Sequence, residues 1–503
     1  MITWDSAVLF AYYAILVILA IYGLHRYALV WLYYRHRDRI ATPARRFETR
    51  PKVCVQLPVF NEAMVVERLI DSVCAFDWPR DRLEIQVLDD SVDETTELAR
   101  RRVAARAAEG FDIVHLHRED RVGYKAGALA AGLAHSDAEL VAIFDADFVP
   151  PPDILNQMVD HFTDDGVGMV QARWGHLNRR YSLLTYLQSV FLDGHFVIEH
   201  TARNRSGRFF NFNGTSGIWR RTCIDEAGGW QHDTLTEDLD LSYRAQLAGW
   251  RFVFLPDVVA PGELPVEMNA FKTQQHRWAK GSIQTGRKLL PRIWRSDAPF
   301  KTKIEATFHL TNNAAYPLMI ALAILMLPAL LVRVRDPSVA RGLLFDASVF
   351  FAATTSVLAF YVCAQRESQS DWRRSLLYAP ALIALGIGMS VNNARAVLEA
   401  ALGRNTPFVR TPKYAVAADG DGAPKRFRYS AGRTGLVALE ALLGLHFIVI
   451  TTIAAANGLW ATAFFLSLFA AGYLWVAVAS VRAARVAPLA PQPRLAVKEP
   501  VRV

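Results

Sequence analysis

Leu140-Val141-Ala142-Ile143-Phe144-Asp145-Ala146-Asp147 is the stretch on which the fold turns. Its apolar run, unbroken over 140–144, reads as a buried strand, and two carboxylates one residue apart stand at its end. Upstream, 53–57 and 85–88 have the same texture, and the second runs into Asp89. A loop over 58–62 and a helix over 65–75 separate those two strands. Strand and helix alternate in this way from about residue 52 to 297, which predicts an α/β doubly wound sheet. Ligands of such sheets bind beyond the carboxyl ends of the strands, where these aspartates stand.

The flanks are of another kind. Hydrophobic residues make up 52% of the 503 and charged residues 21%, which excludes a disordered or fibrous chain and is greasy for a soluble enzyme. Four cysteines without a CxxC spacing exclude a disulfide scaffold and a readable zinc site. The run over 7–34 exceeds the ~20 residues that cross a bilayer. Arg35, Arg37, Arg39, Arg45, Arg46 and Arg50 follow it and only Asp5 precedes it, so the N-terminus is expected outside and the α/β block in the cytosol. A cleaved signal peptide is disfavoured, since no basic region precedes the run.

Further apolar runs lie at 312–332, 343–363, 376–391, 434–456 and 459–481. The expected division is therefore 1–50 (membrane helix and basic linker), 51–300 (α/β block), 301–403 (membrane or interfacial helices), 404–433 (basic cytosolic loop), 434–482 (membrane hairpin) and 483–503 (disordered tail). Within 376–402 a re-entrant or interfacial arrangement, or a break at Pro380, is preferred, because a full crossing would put the basic loop outside. The net charge of +8 is then largely a property of cytosolic flanks. No nucleic-acid-binding stripe is expected.

Three acidic motifs carry the chemistry. Asp89-Asp90 after the second strand favours contact with a nucleoside over a simple helix cap. Asp145 and Asp147 can reach one hard cation, magnesium or manganese, whose shell phosphate oxygens complete. A calcium loop fails, because Phe148-Val149-Pro150-Pro151 offers no further ligands. Glu237-Asp238 opens a helix-like stretch, and Asp238 in a closed site can act as general base. Lys125 between glycines can meet a diphosphate, and Arg277 beside Trp278 offers a cation for a leaving phosphate and a ring for a sugar. Metal carboxylates, a base, cations and an aromatic platform are what sugar transfer from a nucleotide diphosphate requires. No GxxxxGK[ST] loop is present, which disfavours an ATP-driven pump.

In this order the motifs resemble those of processive family 2 glycosyltransferases of the cellulose synthase type, over about residues 52–414. The nearest likeness is to plant cellulose-synthase-like A and C enzymes, which make mannan or glucan backbones. It rests on QLPVFNE (56–62), QVLDDS (86–91), GYKAGAL (123–129), AIFDADF (142–148), VQARW (170–174), FNGTSGIWR (212–220), EAGGW (226–230) and QQHRW (274–278). The resemblance implies a GT-A-like, Rossmann-like block. It implies that Asp89 contacts the nucleotide, Lys125 the diphosphate, Asp145 and Asp147 the metal, and that Asp238 is the base. It puts Phe212, Asn213, Gly214, Thr215 and Glu237 near the acceptor, with Gln274, Arg277 and Trp278 flanking the acceptor and the channel entrance. Phe408, Thr411 and Lys413 fall in a segment similar to the F-x-V-T-x-K-G gating loop, from which Arg410 and Tyr414 depart.

The expected activity is an inverting, membrane-embedded β-glycosyltransferase that polymerises hexose from UDP-glucose or GDP-mannose and passes a β-glucan or β-mannan across the membrane. Its expected location, surrounded by lipid, is a bacterial inner membrane. The alternatives are a non-processive enzyme glycosylating a lipid acceptor (ceramide, diacylglycerol or polyprenyl phosphate), and a membrane sensor or transporter that binds nucleotide sugar without turnover.

Overall fold

A computed structural model of the chain describes residues 4–335, 341–369, 371–404, 408–416 and 435–486. Seven strands form one sheet: β1 (Val53–Val59), β2 (Leu83–Asp89), β3 (Asp112–His117), β4 (Leu140–Ile143), β5 (Val167–His176), β6 (Gly217–Arg220) and β7 (Arg251–Gly262), in the order β3-β2-β1-β4-β6-β5-β7. β3, β2, β1 and β4 run parallel, as do β5 and β7. The four-residue β6 lies antiparallel to both β4 and β5, so the sheet is mixed rather than uniformly parallel.

Each central strand feeds two cores. On β4, Leu140 and Ala142 join the cluster around Val55, Leu69 and Ile70. Val141 and Ile143 join the opposite cluster around Leu129, Phe212 and Trp219. Successive side chains on a strand point to opposite faces, so helices cover both sides, which is why these strands read as continuous apolar runs. The register pairs Val59 with Asp89 and Gln56 with Ile143, and the carboxyl ends of β1, β2 and β4 therefore share one edge.

Among the described residues, six helical segments are long and apolar enough to cross a membrane: Trp4–His36, Phe300–Arg335, Ser348–Ser368, Ala379–Ala401, Val437–Ala456 and Trp460–Ala484, in line with a membrane protein. The first packs Val8, Tyr12 and Leu16 on Leu322, Met326 and Leu330, and lower down Leu29 and Leu32 on Val197, Ile198 and Phe360. It thus ties the bundle to the α/β block. Within 376–402, the end of a short helix (Arg373–Leu377) is followed by two more, Ala379–Gly388 and Ser390–Ala401. Pro380 sits in the first turn of the former, and a second break falls at Met389. Gly388 lies so close to the last helix that an added β-carbon would stand 2.3 Å from the Gly472 carbonyl oxygen, a small-residue crossing. Of the polar residues in the apolar runs, Glu440 accepts a 2.6 Å hydrogen bond from Lys272, both side chains being fully buried. Of the basic loop, residues 404 and 408–416 are described. The tail from 487 lies outside the described residues, and the last helix continues to Val486.

Candidate active site

At the shared strand edge lies a cavity of about 170 Å³, and beside it, toward the membrane helices, a second of about 290 Å³. Asp145, Asp147, Lys125, Glu237, Asp238, Arg277 and Asp90 line the first. Asn213, Asp238, Gln274, Trp278 and Trp174 line both. Residues from 90 to 413 in sequence therefore converge on one place.

The carboxylates after β4 each face a lysine. Asp145 takes a hydrogen bond from Lys125, which also donates to the Gly214 carbonyl at 2.8 Å. Asp147 is paired with Lys413. Burial works to lower the Lys125 pKa, but Asp145 and Glu237 outweigh it and raise it, so the ammonium is secure. Among the described residues no group of three metal-ligating side chains exists. The lining does carry excess acid: Glu62, Asp90, Asp145, Asp147, Glu237, Asp238 and Glu263 against Arg121, Lys125, Arg277, Arg410 and Lys413. Two hard oxygen donors in an acidic cavity suit a cation that takes its other ligands from phosphate and water.

Glu237 and Asp238 begin the helix Glu237–Leu247, and the Leu239 backbone N–H donates to Asp238 Oδ1 at 2.8 Å. Burial, and then the neighbouring Glu237, push Asp238 up to about 7. Gly214 has φ +81°, and an added β-carbon there would stand 3.1 Å from Asp238 Oδ2 and 3.4 Å from Lys125 Nζ. Glycine supplies the left-handed backbone and leaves room for both groups. The helix Met268–Arg295 presents Gln274, Arg277 and Trp278 from the other side. Trp278 faces Trp174 with ring centroids 6.3 Å apart, and the Arg277 guanidinium lies 4.7 Å from the Phe408 ring centre.

The segment 408–416 covers the cavity. Phe408, Arg410, Thr411 and Lys413 line it. Arg410 donates to the Asn61 carbonyl and approaches Glu62 at 3.6 Å. The Tyr414 backbone N–H donates to Glu263 at 2.8 Å, and its hydroxyl to Glu267 at 2.9 Å. The two departures from the gating-loop pattern, Arg410 and Tyr414, are thus anchors of the segment on the block.

Three expected site residues stand behind the cavity. Asp89 is fully buried and does not line it: Oδ2 lies 3.0 Å from His115 Nε2 and 3.2 Å from His117 Nδ1, and Oδ1 accepts from the Ser91 backbone N–H. Its neighbour Asp90 faces the cavity, held by both arms of Arg118 at 2.7 and 2.6 Å. Phe212 is fully buried against Trp219. Thr215, also buried, accepts the Asp145 backbone N–H through Oγ1 at 2.9 Å. Asn213 and Gly214 between them are the two of that motif that reach the lining. Sequence reasoning missed Arg121, whose guanidinium stands 3.3 Å from the Phe60 ring centre, and Glu62, pushed up to about 7 by burial. Trp174 lay within a quoted motif without being assigned to the site.

The chain is similar to known proteins. Over 268 residues the chain is 43% identical to glucomannan 4-beta-mannosyltransferase 1 of Oryza sativa subsp. japonica, covering 52% of this chain and 51% of that protein. Over 251 residues it is 45% identical to glucomannan 4-beta-mannosyltransferase 2 of Arabidopsis thaliana, covering 49% and 47%. The chain thus spans about half the length of the curated relatives it matches. A solved mannosyltransferase, PcManGT from Pyrobaculum calidifontis in complex with GDP-Man and Mn2+, has a similar fold. Its TM-score is 0.51 at 23% identity, over 78% of this chain and 99% of that one. Residues 51–281, within the α/β block, match the model described as glycosyltransferase like family 2.

Proposed function

We propose that this chain is an inverting, membrane-embedded β-glycosyltransferase that extends a polysaccharide with hexose from a nucleotide diphosphate, mannose being the favoured sugar. The observation that carries the reading is the position of Asp238, on the lining of both cavities. A base between a donor chamber and an acceptor chamber can take the proton of the attacking hydroxyl while that oxygen bonds to the anomeric carbon. The bond from that carbon to the diphosphate breaks, and one displacement inverts the centre. Lys125 and Arg277 meet the charge that develops on the leaving diphosphate. Trp174 and Trp278 give the acceptor ring a face to stack on. Asp145 and Asp147 would hold a magnesium or manganese ion, which when bound supplies further neutralisation of the diphosphate. For that, Lys125 and Lys413 must yield their carboxylates.

The relatives favour mannosyl transfer to a 4-hydroxyl, so GDP-mannose is preferred over UDP-glucose. The Gln274, Arg277 and Trp278 set, the segment 408–416 and the apolar helices beyond the second cavity support extension of a polymer through the membrane. The arginines after the first helix support a cytosolic block. The purified chain in lipid nanodiscs, given GDP-mannose or UDP-glucose with either metal, should make a polymer from the former. A single sugar on lipid would overturn the polymerase reading, and turnover of neither donor would overturn the enzyme.

A further inference from the structure

Between the helices Leu183–Asp193 and Thr201–Arg205, residues Gly194–His200 are wound as a π-helix. Such windings are rare and gather at functional sites. This one carries His195 and Glu199 on the lining of the second cavity, with 27% and 18% of their side-chain surface open. His195 Nδ1 lies 2.9 Å from Glu199 Oε2, and Asn213 Nδ2 lies 3.0 Å from His195 Nε2. On its other side Asn213 Oδ1 meets His200 Nε2 at 2.6 Å. An amide nitrogen only donates, so His195 Nε2 accepts and its Nδ1–H points to Glu199. One directed chain therefore runs from the donor cavity to a carboxylate in the neighbouring chamber.

The transfer step leaves that carboxylate without a task. Burial pushes Glu199 up, but Arg203, 3.3 Å away, and His195 outweigh it and hold it well below the usual carboxylate range. Oε2 accepts from both, whereas Oε1 accepts from none of the described residues. A carboxylate already balanced by an arginine is a poor site for a metal or an ammonium. It is a strong acceptor for the hydroxyls of a neutral sugar.

We infer that Glu199 binds the terminal sugar of the acceptor through its hydroxyls, with His195 and Asn213 as positioning residues that hold the attacking hydroxyl against Asp238. This rests on the acceptor reading of the second cavity.

The test is steady-state kinetics of the full chain in nanodiscs with GDP-mannose and β-1,4-mannotetraose. Glu199→Gln preserves the shape of the side chain, and Arg203 keeps Glu305 at 3.0 Å as partner. It should raise the acceptor KM at least tenfold, leave the donor KM within twofold, and recover most of kcat at saturating acceptor. His195→Phe, which removes both hydrogen bonds, should move the acceptor KM about threefold in the same direction. An acceptor KM within twofold of wild type overturns the inference, as does a fall in kcat accompanied by a rise in both KM values, which marks a structural role. A wild-type chain that turns over neither this donor nor UDP-glucose overturns the enzyme reading along with it.

Discussion

Two lysine–carboxylate pairs sit in this molecule in opposite settings. In the bundle seam Lys272 and Glu440 are both fully buried, 2.6 Å apart. Ser480 stands 3.3 Å from the ammonium, and Asn392 donates to the Lys272 carbonyl at 2.9 Å. There one charge meets one charge and the neighbours are neutral. At the end of β4, Lys125 faces Asp145, Glu237 and Asp238 together. Acid is in excess there, and burial first, with neighbouring carboxylates adding to it, raises the pKa of Glu237 and Asp238. A balanced pair locks helices, whereas an unbalanced one holds a proton acceptor near neutrality.

The strongest way to break the contrast is Asp238→Asn. Loss of a positioned base removes on the order of 10²–10⁴ in rate, and transfer from GDP-mannose should fall by about 10³, measured by nucleotide release. Donor binding by calorimetry should persist, since the amide keeps the shape and Lys125 is untouched. A variant retaining a tenth of the rate would remove Asp238 from the base role.

In the seam the same kind of change should strike stability instead. Lys272→Met strands the buried Glu440, and breaking such a pair costs about 3–5 kcal/mol. The melting temperature in detergent should drop clearly, and the double change Lys272→Met with Glu440→Leu should recover most of it. Equal melting of single and double variants would show that the seam does not depend on charge balance.

Next in size is the metal. Asp147→Asn removes one of two hard donors, and a loss of about 100-fold in transfer, on the order of 3 kcal/mol of barrier, is expected. A chelator should abolish turnover reversibly, with manganese or magnesium restoring it. Undiminished turnover in chelator would show that lysines and arginine alone balance the diphosphate.

How much of this was legible followed from physical signals. Largely apolar runs announced β1, β2 and β4, and aspartates marked the ends of the last two, because strands buried on both faces are dominated by apolar residues. Five of the six membrane-length helices found among the described residues were equally plain, whereas the stretch within 376–402 was expected to be re-entrant, interfacial or broken at Pro380. Asp89 and Asp90 were not separable, since adjacent residues at a strand end point to opposite faces and nothing local says which face holds the cavity. The reversal at β6 was hidden by its length, four residues amid glycines. Phe212 and Thr215 belong to a motif whose inner members, Asn213 and Gly214, alone reach the lining. The π-helical winding at Gly194–His200 left no mark of composition at all, and with it the Glu199–His195 pair went unread.

The finest test of the contrast is the pH profile. A base works only when deprotonated, and Asp238 is pushed up to about 7 by burial and Glu237. Transfer at saturating substrates should therefore fall about tenfold per unit as pH drops below 7, and level off above it. Glu237→Gln removes the neighbouring negative charge that disfavours ionisation of Asp238, so the limb should move to lower pH. Lys125→Met removes a positive charge that favours ionisation, and the limb should move up, alongside whatever rate is lost from diphosphate contact. Opposite displacements from these two neighbours would tie the proton to the unbalanced cluster. A limb that both variants leave in place would assign the titration to another group.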